Sequence, residues 1–580
     1  MKLSNIILLL FFLCAYTKVG AQLSTNERPI SFDTKQKLTM LSKSLNPTVT
    51  MPFLDMEKIE AEDKEDEEYD MPPRFGYQHK VNYDLKNSGT WFKLSNGDKL
   101  WQLEVVCPAA LSVNFCYDKF WIPDGGKFFV YSKDKKHSIG AFTSKNNKGD
   151  REKIRGFATG LVYGDGVVLE YYQPKEVTID AVISIEYVVH GYRYISFGKK
   201  DFGDAGSCMV NINCEEGSDW QTEKKAIAMI LVDGNRCCTG SLINTTDLSQ
   251  KPYLLTADHC LGGGANDSIK YDADTLPNLD HYSFWWNYEI PGCANTNVEP
   301  ANYYVTSGAT VLANNSLSDF ALLQLTEDPK NIVGYTPYYL GWDCSGLSGS
   351  PGVCIHHPQG DVKKISTVAT TPVSTLFYIY NEYDNYTTSW RVTWKTTPRG
   401  HGTTEGGSSG SPLLNAGHKV IGQLFGGYAD CGDSICAPDW YGKFDVSWTG
   451  SWTGNNNNST YRRLNCWLDS LNTGTQTMEG LLVIRSDSTI NTNQQLYSNI
   501  RITNNAQLCI QGNVELMGNS RVIVESGGVL IINGGTMSNV NLILKTGASL
   551  RLINGGVIVT QNGFKAPLGT TIDIINGQIL

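Results

Sequence analysis

Thr404-Glu405-Gly406-Gly407-Ser408-Ser409-Gly410-Ser411-Pro412 is a glycine-rich turn around one serine, and its reading decides how the middle of this chain folds. A serine hydroxyl is a nucleophile at neutral pH only when a base removes its proton and a third group orients that base. Both partners stand upstream: Thr256-Ala257-Asp258-His259-Cys260 offers an imidazole, and Ser318-Asp319-Phe320-Ala321-Leu322-Leu323 offers a carboxylate. Apolar strand-like runs flank them, Tyr253-Leu254-Leu255 before His259 and Phe320 to Leu323 after Asp319. The glycines have a mechanical use, because an oxyanion is stabilised by backbone N–H groups turned inward on a tight loop, and residues without a β-carbon reach the dihedrals needed. The two donors fall to the amides of Gly407 and Ser409. Taken singly, each piece has a plain structural explanation, since Gly/Ser turns are common and a lone His or Asp usually serves packing or solvation. In this order they make Ser409 the nucleophile, His259 the general base and Asp319 the orienting carboxylate.

The order His, Asp, Ser is that of the chymotrypsin class, so residues 201–480 are expected to form a chymotrypsin-like double β-barrel within an all-β multidomain chain. The length of 580 residues and 41% hydrophobic content suffice for several cores. A net charge of −10 and the lack of a long basic run argue against nucleic acid as a partner.

Outward from the serine turn, the chain changes texture several times. Residues 1–21 carry Lys2, an apolar run from Ile6 to Tyr16 and Val19-Gly20-Ala21 before Gln22, the layout of a secretory signal peptide. Removal of Cys14 with it leaves fourteen of the fifteen cysteines, an even number that suits disulfides in an oxidising, extracellular compartment. Zinc is a weak alternative, because the cysteines lack the spaced Cys-Cys and His-His clusters of structural sites. Residues 22–90 contain a dense acidic run from Asp55 to Asp70 followed by Met71-Pro72-Pro73, read as a solvated linker. Residues 91–200 show short β-rich runs such as Leu100-Trp101-Gln102-Leu103 between Gly, Asp and Asn turns, which suggests a β-sandwich. After the serine domain, Asn455 to Asn458 form a polar loop and Arg462 to Leu468 a closing helix. In residues 481–580, Ile510-Gln511-Gly512, Ile532-Asn533-Gly534, Ile553-Asn554-Gly555 and Ile575-Asn576-Gly577 recur at intervals of 22, 21 and 22. That period predicts a β-solenoid whose coils stack aliphatic ladders, a structural module suited to cell-surface attachment.

Residues 206 to about 481 resemble a more specific family, the bacterial lysyl endopeptidases. The tracts that carry the resemblance include Gly206-Ser207-Cys208, Cys238-Thr239-Gly240-Ser241-Leu242, Leu255 to Cys260, Trp286-Asn287-Tyr288, Gly341-Trp342-Asp343, Ile355-His356-His357-Pro358, Gly407 to Pro412 and Ser447-Trp448-Thr449-Gly450. The resemblance implies the same roles for His259, Asp319 and Ser409, no metal or organic cofactor, and disulfides Cys208–Cys431, Cys214–Cys293 and Cys238–Cys260. For the cysteines left over, Cys344–Cys354, Cys237–Cys436 and Cys466–Cys509 are the pairings to expect. His356-His357 does not read as a metal site, since neighbours on a strand point to opposite faces.

Specificity follows from the same resemblance. Ordinary trypsin-like enzymes place an Asp six residues before the nucleophile, where this chain has Thr403. Lysyl endopeptidases use an Asp in a later Asp-x-Tyr-Gly segment, matched here by Asp439-Trp440-Tyr441-Gly442. Phe425 stands where the family often has a histidine, and it keeps an aromatic beside the pocket while losing a titratable ring. Ser408 replaces the Asp with which trypsin captures a newly freed N-terminus. The expectation is a secreted serine endopeptidase acting on protein and peptide substrates after lysine, made with a propeptide that it removes itself after Lys200, with Lys199 as the near alternative. Two other readings stay open: a catalytically silent surface adhesin, and an endopeptidase of different preference at the cleaved residue.

Overall fold

Short strand-forming runs separated by Gly, Asn and Asp turns leave little room for helix, and the structure is mostly β-strand. It is a computed structural model that describes residues 27–33, 39–40, 47–68, 71–193, 205–261, 279–294, 300, 302–376, 387–432, 435–450 and 459–580. The signal segment, Lys199, Lys200 and the polar loop at 455–458 lie outside the described residues.

The N-terminal region packs two sheets face to face. One joins Gly76–Asp84, Ser112–Trp121 and Val182–Gly191; the other is built on Thr90–Lys93, Lys99–Val106, Gly166–Gln173, Lys127–Ser132 and Ser138–Phe142. Alternate residues turn inward, as period-2 geometry requires, and Leu103, Val105, Phe115, Tyr117, Phe128 and Leu169 share one core. Gly76–Asp84 pairs along Val182–Gly191, so the sandwich reaches upstream of residue 91, across the boundary read from composition. The acidic run also departs from a solvated linker, because Met56–Glu68 is an α-helix. Its Ile59 and Asp63, one turn apart on one face, are buried. Arg74 and Arg193 both pair with Asp63, at 2.8 and 2.9 Å, and this compensation lets so acidic a segment fold against the body.

Two antiparallel sheets make up the domain that follows. The first runs in the order Tyr304–Ser307, Ser283–Trp286, Ile227–Val232, Arg236–Leu242, Tyr253–Ala257, Phe320–Leu325, Ala309–Asn315; the second includes Pro351–His356, Pro412–Asn415, Lys419–Gly427, Asp439–Lys443 and Ser389–Val392. Register places the key loops. Tyr253–Ala257 and Phe320–Leu325 are antiparallel with Ala257 opposite Phe320, so the residues just past the end of one strand meet those just before the start of the other. The short closing segment is a 3₁₀ turn, Thr460–Arg462, and one helical turn, Asn465–Leu468.

Disulfides join Cys208–Cys431, Cys214–Cys293 and Cys238–Cys260. The further pairings expected from counting are not formed: Cys237, Cys344, Cys354, Cys436, Cys466 and Cys509 carry free thiols, as do Cys107 and Cys116. Cys237 and Cys238 face opposite sides of their strand, Cys238 into the barrel core and Cys237 into a separate apolar cluster. Cys354 is buried against the Ser411 hydroxyl at 3.2 Å, turned to that contact and not to Cys344.

From Gly480–Ile484 onward the strands pair in parallel, coil upon coil, and build a β-solenoid. Leu508, Leu530 and Leu550 form one buried ladder and Ile510, Ile532 and Leu552 another. The solenoid is not a loose appendage. Tyr338–Tyr339 pairs antiparallel with its first strand, and Leu481 and Val483 belong to the same apolar core as Leu254, Trp342 and Phe444. Among the described residues no helix is long and apolar enough to cross a membrane.

Candidate active site

The antiparallel pair described above brings His259 and Asp319 together. Asp319 Oδ2 lies 2.8 Å from His259 Nδ1, and Oδ1 accepts the His259 backbone N–H at 3.0 Å. Both side chains are buried. The Asp319 carbonyl accepts the Asp258 amide at 3.0 Å, and Asp319 sits at φ +51°, a left-handed conformation that turns its carboxylate back toward the histidine.

Ser409 comes from the second sheet, on the loop before Pro412–Asn415. Its carbonyl accepts the Thr239 amide at 2.8 Å, while Thr239 Oγ1 donates to the Gly407 carbonyl at 2.9 Å. Thr256 Oγ1 donates to the Thr239 carbonyl at 2.8 Å. Three segments distant in sequence, ending at His259, at Thr239 and at Ser409, are thus tied through two threonine hydroxyls. Gly407 and Gly410 take φ of +90° and +80°, and a β-carbon at Gly410 would lie 2.2 Å from Thr256 Oγ1, so this turn admits only glycine there. Neither the Gly407 nor the Ser409 amide donates to a protein acceptor among the described residues, which leaves both available to an oxyanion.

Ser408, beside the nucleophile, is fully buried and hydrogen-bonded to His356 Nδ1 at 2.8 Å. His356 Nε2 meets Ser366 Oγ at 3.0 Å, and His357 Nδ1 meets the Asp361 carbonyl at 2.8 Å. Burial lowers both imidazoles, that of His356 to about 3, so they are neutral struts under the loop. A different cluster has metal-ligating atoms within 4.8 Å of one another, Cys238, His259 and Cys260. Its two sulfurs are bonded to each other, so neither is a thiolate ligand.

Asp439 lies beneath the serine loop. It is fully buried, Oδ2 accepts from Trp394 Nε1 at 2.7 Å and from Thr404 Oγ1 at 2.6 Å, and Oδ1 accepts the Ala429 amide at 3.1 Å. Burial pushes its carboxyl up to about 6, against the opposing pull of those hydrogen bonds. The hydroxyl that holds Asp439 belongs to Thr404; Thr403 is buried with its own hydroxyl 3.4 Å from the Thr404 carbonyl. Phe425 is half-buried on Lys419–Gly427, where the register against Asp439–Lys443 slips between Leu424 and Gly426.

Sequence reasoning did not single out Thr404, Trp394 or Gly427. A β-carbon at Gly427 would fall 1.8 Å from Asp439 Oδ1, so the absent side chain makes room for the carboxylate. It also passed over Asp258, which is half-buried near Asp319 and accepts from Asn314 Nδ2 at 2.7 Å. Burial first, then the charge of Asp319, raises its carboxyl to about 7.

Fold and site together are a domain of two β-sheets in which the His259–Asp319 pair lies beside the loop that carries Ser409. Residues 202–442 match the sequence model of the family described as lysyl endopeptidase, C-terminal domain. A Pseudomonas aeruginosa protein named lysyl endopeptidase is 28% identical over 294 residues, which cover 48% of this chain and 58% of that protein. The chain therefore spans little more than half the length of that relative. A solved structure titled "HtrA-type protease AlgW with tripeptide" overlaps 40% of this chain and 60% of its own at 13% identity, with a TM-score of 0.25.

Proposed function

We propose that the protein is a secreted serine endopeptidase that hydrolyses peptide bonds on the C-terminal side of lysine and is made as a self-processing precursor. The observation that carries this reading is the 2.8 Å His259–Asp319 pair beside a serine loop whose underside is hydrogen-bonded to a buried carboxylate, Asp439. Ser409 Oγ attacks the scissile carbonyl as His259 Nε2 takes its proton, and Asp319 stabilises the resulting imidazolium through Nδ1. The amides of Gly407 and Ser409 hold the oxyanion. His259 then hands the proton to the leaving amine, and a water activated by the same imidazole releases the acyl group.

Hydrogen-bond capacity supports lysine over arginine. A carboxylate offers about four lone-pair sites, and most are already occupied by donors from Trp394, Thr404 and Ala429. A compact ammonium needs one acceptor, whereas the guanidinium fork is satisfied by two in parallel. The buried carboxylate also gains most from a cation that enters its pocket.

In this scheme residues 1–21 direct export, residues 22–200 are the propeptide, 201–480 the peptidase, and 481–580 the solenoid that would carry any surface attachment. Lys200 lies between the last described residue of the sandwich, Arg193, and Ala205, which is already docked with its amide on Asp361 Oδ2 at 3.2 Å. Mass spectrometry of a denatured protein digested by the matured enzyme tests the reading, with new C-termini expected at lysine. Cleavage scattered over other residues would defeat the lysine preference, and no cleavage would favour a silent binding protein. Purified Ser409→Ala precursor is expected to keep residues 22–200 attached; maturation of that variant in the absence of other proteases would refute self-processing.

A further inference from the structure

The residues that follow the acidic helix lie beside the candidate nucleophile. Pro73 accepts the Cys237 amide on its carbonyl at 3.1 Å, Pro72 accepts Arg236 Nη1 at 2.8 Å, and the Phe75 amide donates to the Asn235 carbonyl at 2.9 Å. Arg74 and Arg236 form an antiparallel bridge, so residues 72–75 run as an added strand along 235–237. On its other side Pro73 packs on the serine loop, since a β-carbon at Gly406 would lie 3.2 Å from Pro73 Cγ. Gly406 precedes the amide assigned to the oxyanion, and Cys237 precedes the cysteine disulfide-bonded to Cys260, next to His259. Pro73 is therefore wedged between the two walls that carry the nucleophile and the base.

The side of the cleft is defined by chemistry. The acyl side runs down to Asp439 through Thr404, whereas the leaving amine must sit against His259, which protonates it. The wall at 236–238 belongs to the histidine. Building on the peptidase reading above, we infer that residues 71–74 occupy the leaving-group side of the cleft as a built-in inhibitory strap, so that this groove is a binding site for an extended segment of the chain's own propeptide.

The composition of the strap fits that task. Prolines donate no backbone hydrogen bond, and the wall supplies donors, the Cys237 amide and the Arg236 guanidinium, to their carbonyls. The tertiary amides at Pro72 and Pro73, with Met71 before them, offer no lysyl bond, so the strap is not itself a substrate for a lysine-directed pocket. Anchors on both sides hold it. Phe75 is fully buried in a cluster with Leu231, Cys237 and Trp285, and the acidic helix clamps it by charge: Asp66 pairs with Arg236 at 2.6 Å, and Asp63 and Glu62 with Arg74 at 2.8 and 3.0 Å. None of these contacts depends on the bond at Lys200. Cleavage there leaves the strap bound as a non-covalent inhibitor, and full activity requires a second event that removes it.

The experiment uses the full chain held as precursor by Lys199→Gln and Lys200→Gln, assayed with an internally quenched peptide that extends on both sides of a single lysine. The added pair Asp66→Ala and Pro73→Gly is expected to raise kcat/KM by about tenfold or more, and Asp66→Ala alone, a half-exposed change that leaves the fold intact, by about threefold, as release of an occluded fraction predicts. Unchanged rates in both variants, with the matured enzyme active on the same peptide, would overturn the strap. If the matured enzyme reacts with neither that peptide nor a serine-directed phosphonate, the peptidase reading has failed and hydrogen exchange decides the strap. The Cys237 amide is expected to be protected in the precursor and to lose protection in the double variant; equal exchange in the two would overturn the proposal.

Discussion

Asp439, proposed to receive the lysine ammonium, is a buried carboxylate held by three donors. Its elevated titration near pH 6 means that the free site is partly protonated in mild acid, and a lysine ammonium requires the ionised form. Catalytic efficiency on lysyl substrates is expected to fall about tenfold per pH unit below that value, measured as kcat/KM against pH. Asp439→Asn is expected to lower kcat/KM for lysine by a factor on the order of a hundred or more, the cost of leaving a buried cation unpaired, with a much smaller loss on uncharged ester substrates. Asp258 makes a stability prediction of the opposite sense to the usual salt-bridged carboxylate. Its folded value of about 7 stands above the ordinary 3.8, so its contribution to stability is fully present below the lower value and is lost as pH rises through the higher one. Asp258→Asn is expected to gain on the parent by up to about 4 kcal/mol between pH 4 and pH 8, read from denaturant unfolding at the two pH values; a constant difference would rule this out. His259, Asp319 and Ser409 stand out in the sequence as a candidate triad because each sits in a short motif with a recognisable chemical use, and the structure brings His259 and Asp319 within 2.8 Å. Thr404 and Trp394 could not, because they act on a residue 35 and 45 positions away, and nothing local in either distinguishes it from an ordinary strand or turn residue.

At the level of elements, strand register assembles the site and joins the solenoid to it. Alternating runs announced the strands, yet which strand lies beside which is a long-range matter that local pattern does not encode. The solenoid shows the limit. The Ile-Asn-Gly motif repeats at 22, 21 and 22, which would stack Ile532 on Ile553, but the structure stacks Ile532 on Leu552 and Asn533 on Ile553. The coil turns one residue early there because burial of the aliphatic ladder, Leu552 inside and Ile553 half-buried, outweighs alignment of the corner motif. The acidic run was misjudged for a related reason: its charges looked solvated until arginines from Arg74, Arg193 and Arg236 met them. The first solenoid strand belongs to the barrel core, so Leu481→Ala is expected to cost about 2–5 kcal/mol and to lower the midpoint of thermal inactivation. Leu550→Ala, equally buried but several coils away, should leave that midpoint unchanged. Equal effects on activity from the two would mean that the solenoid and the barrel unfold as one unit.

On the scale of the whole molecule, the N-terminal sandwich and the barrel share a polar interface as well as the strap. Asp280 of the barrel meets Arg155 at 2.7 Å and the Gly156 amide at 3.0 Å, and Glu327 meets Asn146 at 3.0 Å. Such mutually satisfied pairs specify one docking geometry more than they add stability. The solenoid is paired into the barrel through Tyr338–Tyr339. The central proposal is that His259 and Asp319 activate the Ser409 hydroxyl and that Asp439 receives the lysine side chain. Intact-mass and peptide mapping of the matured protein treated with a lysyl aryl phosphonate tests it most directly. The account predicts one adduct, on Ser409, lost in His259→Ala and much slower to form in Asp439→Asn. An adduct on another residue, or none, would contradict it.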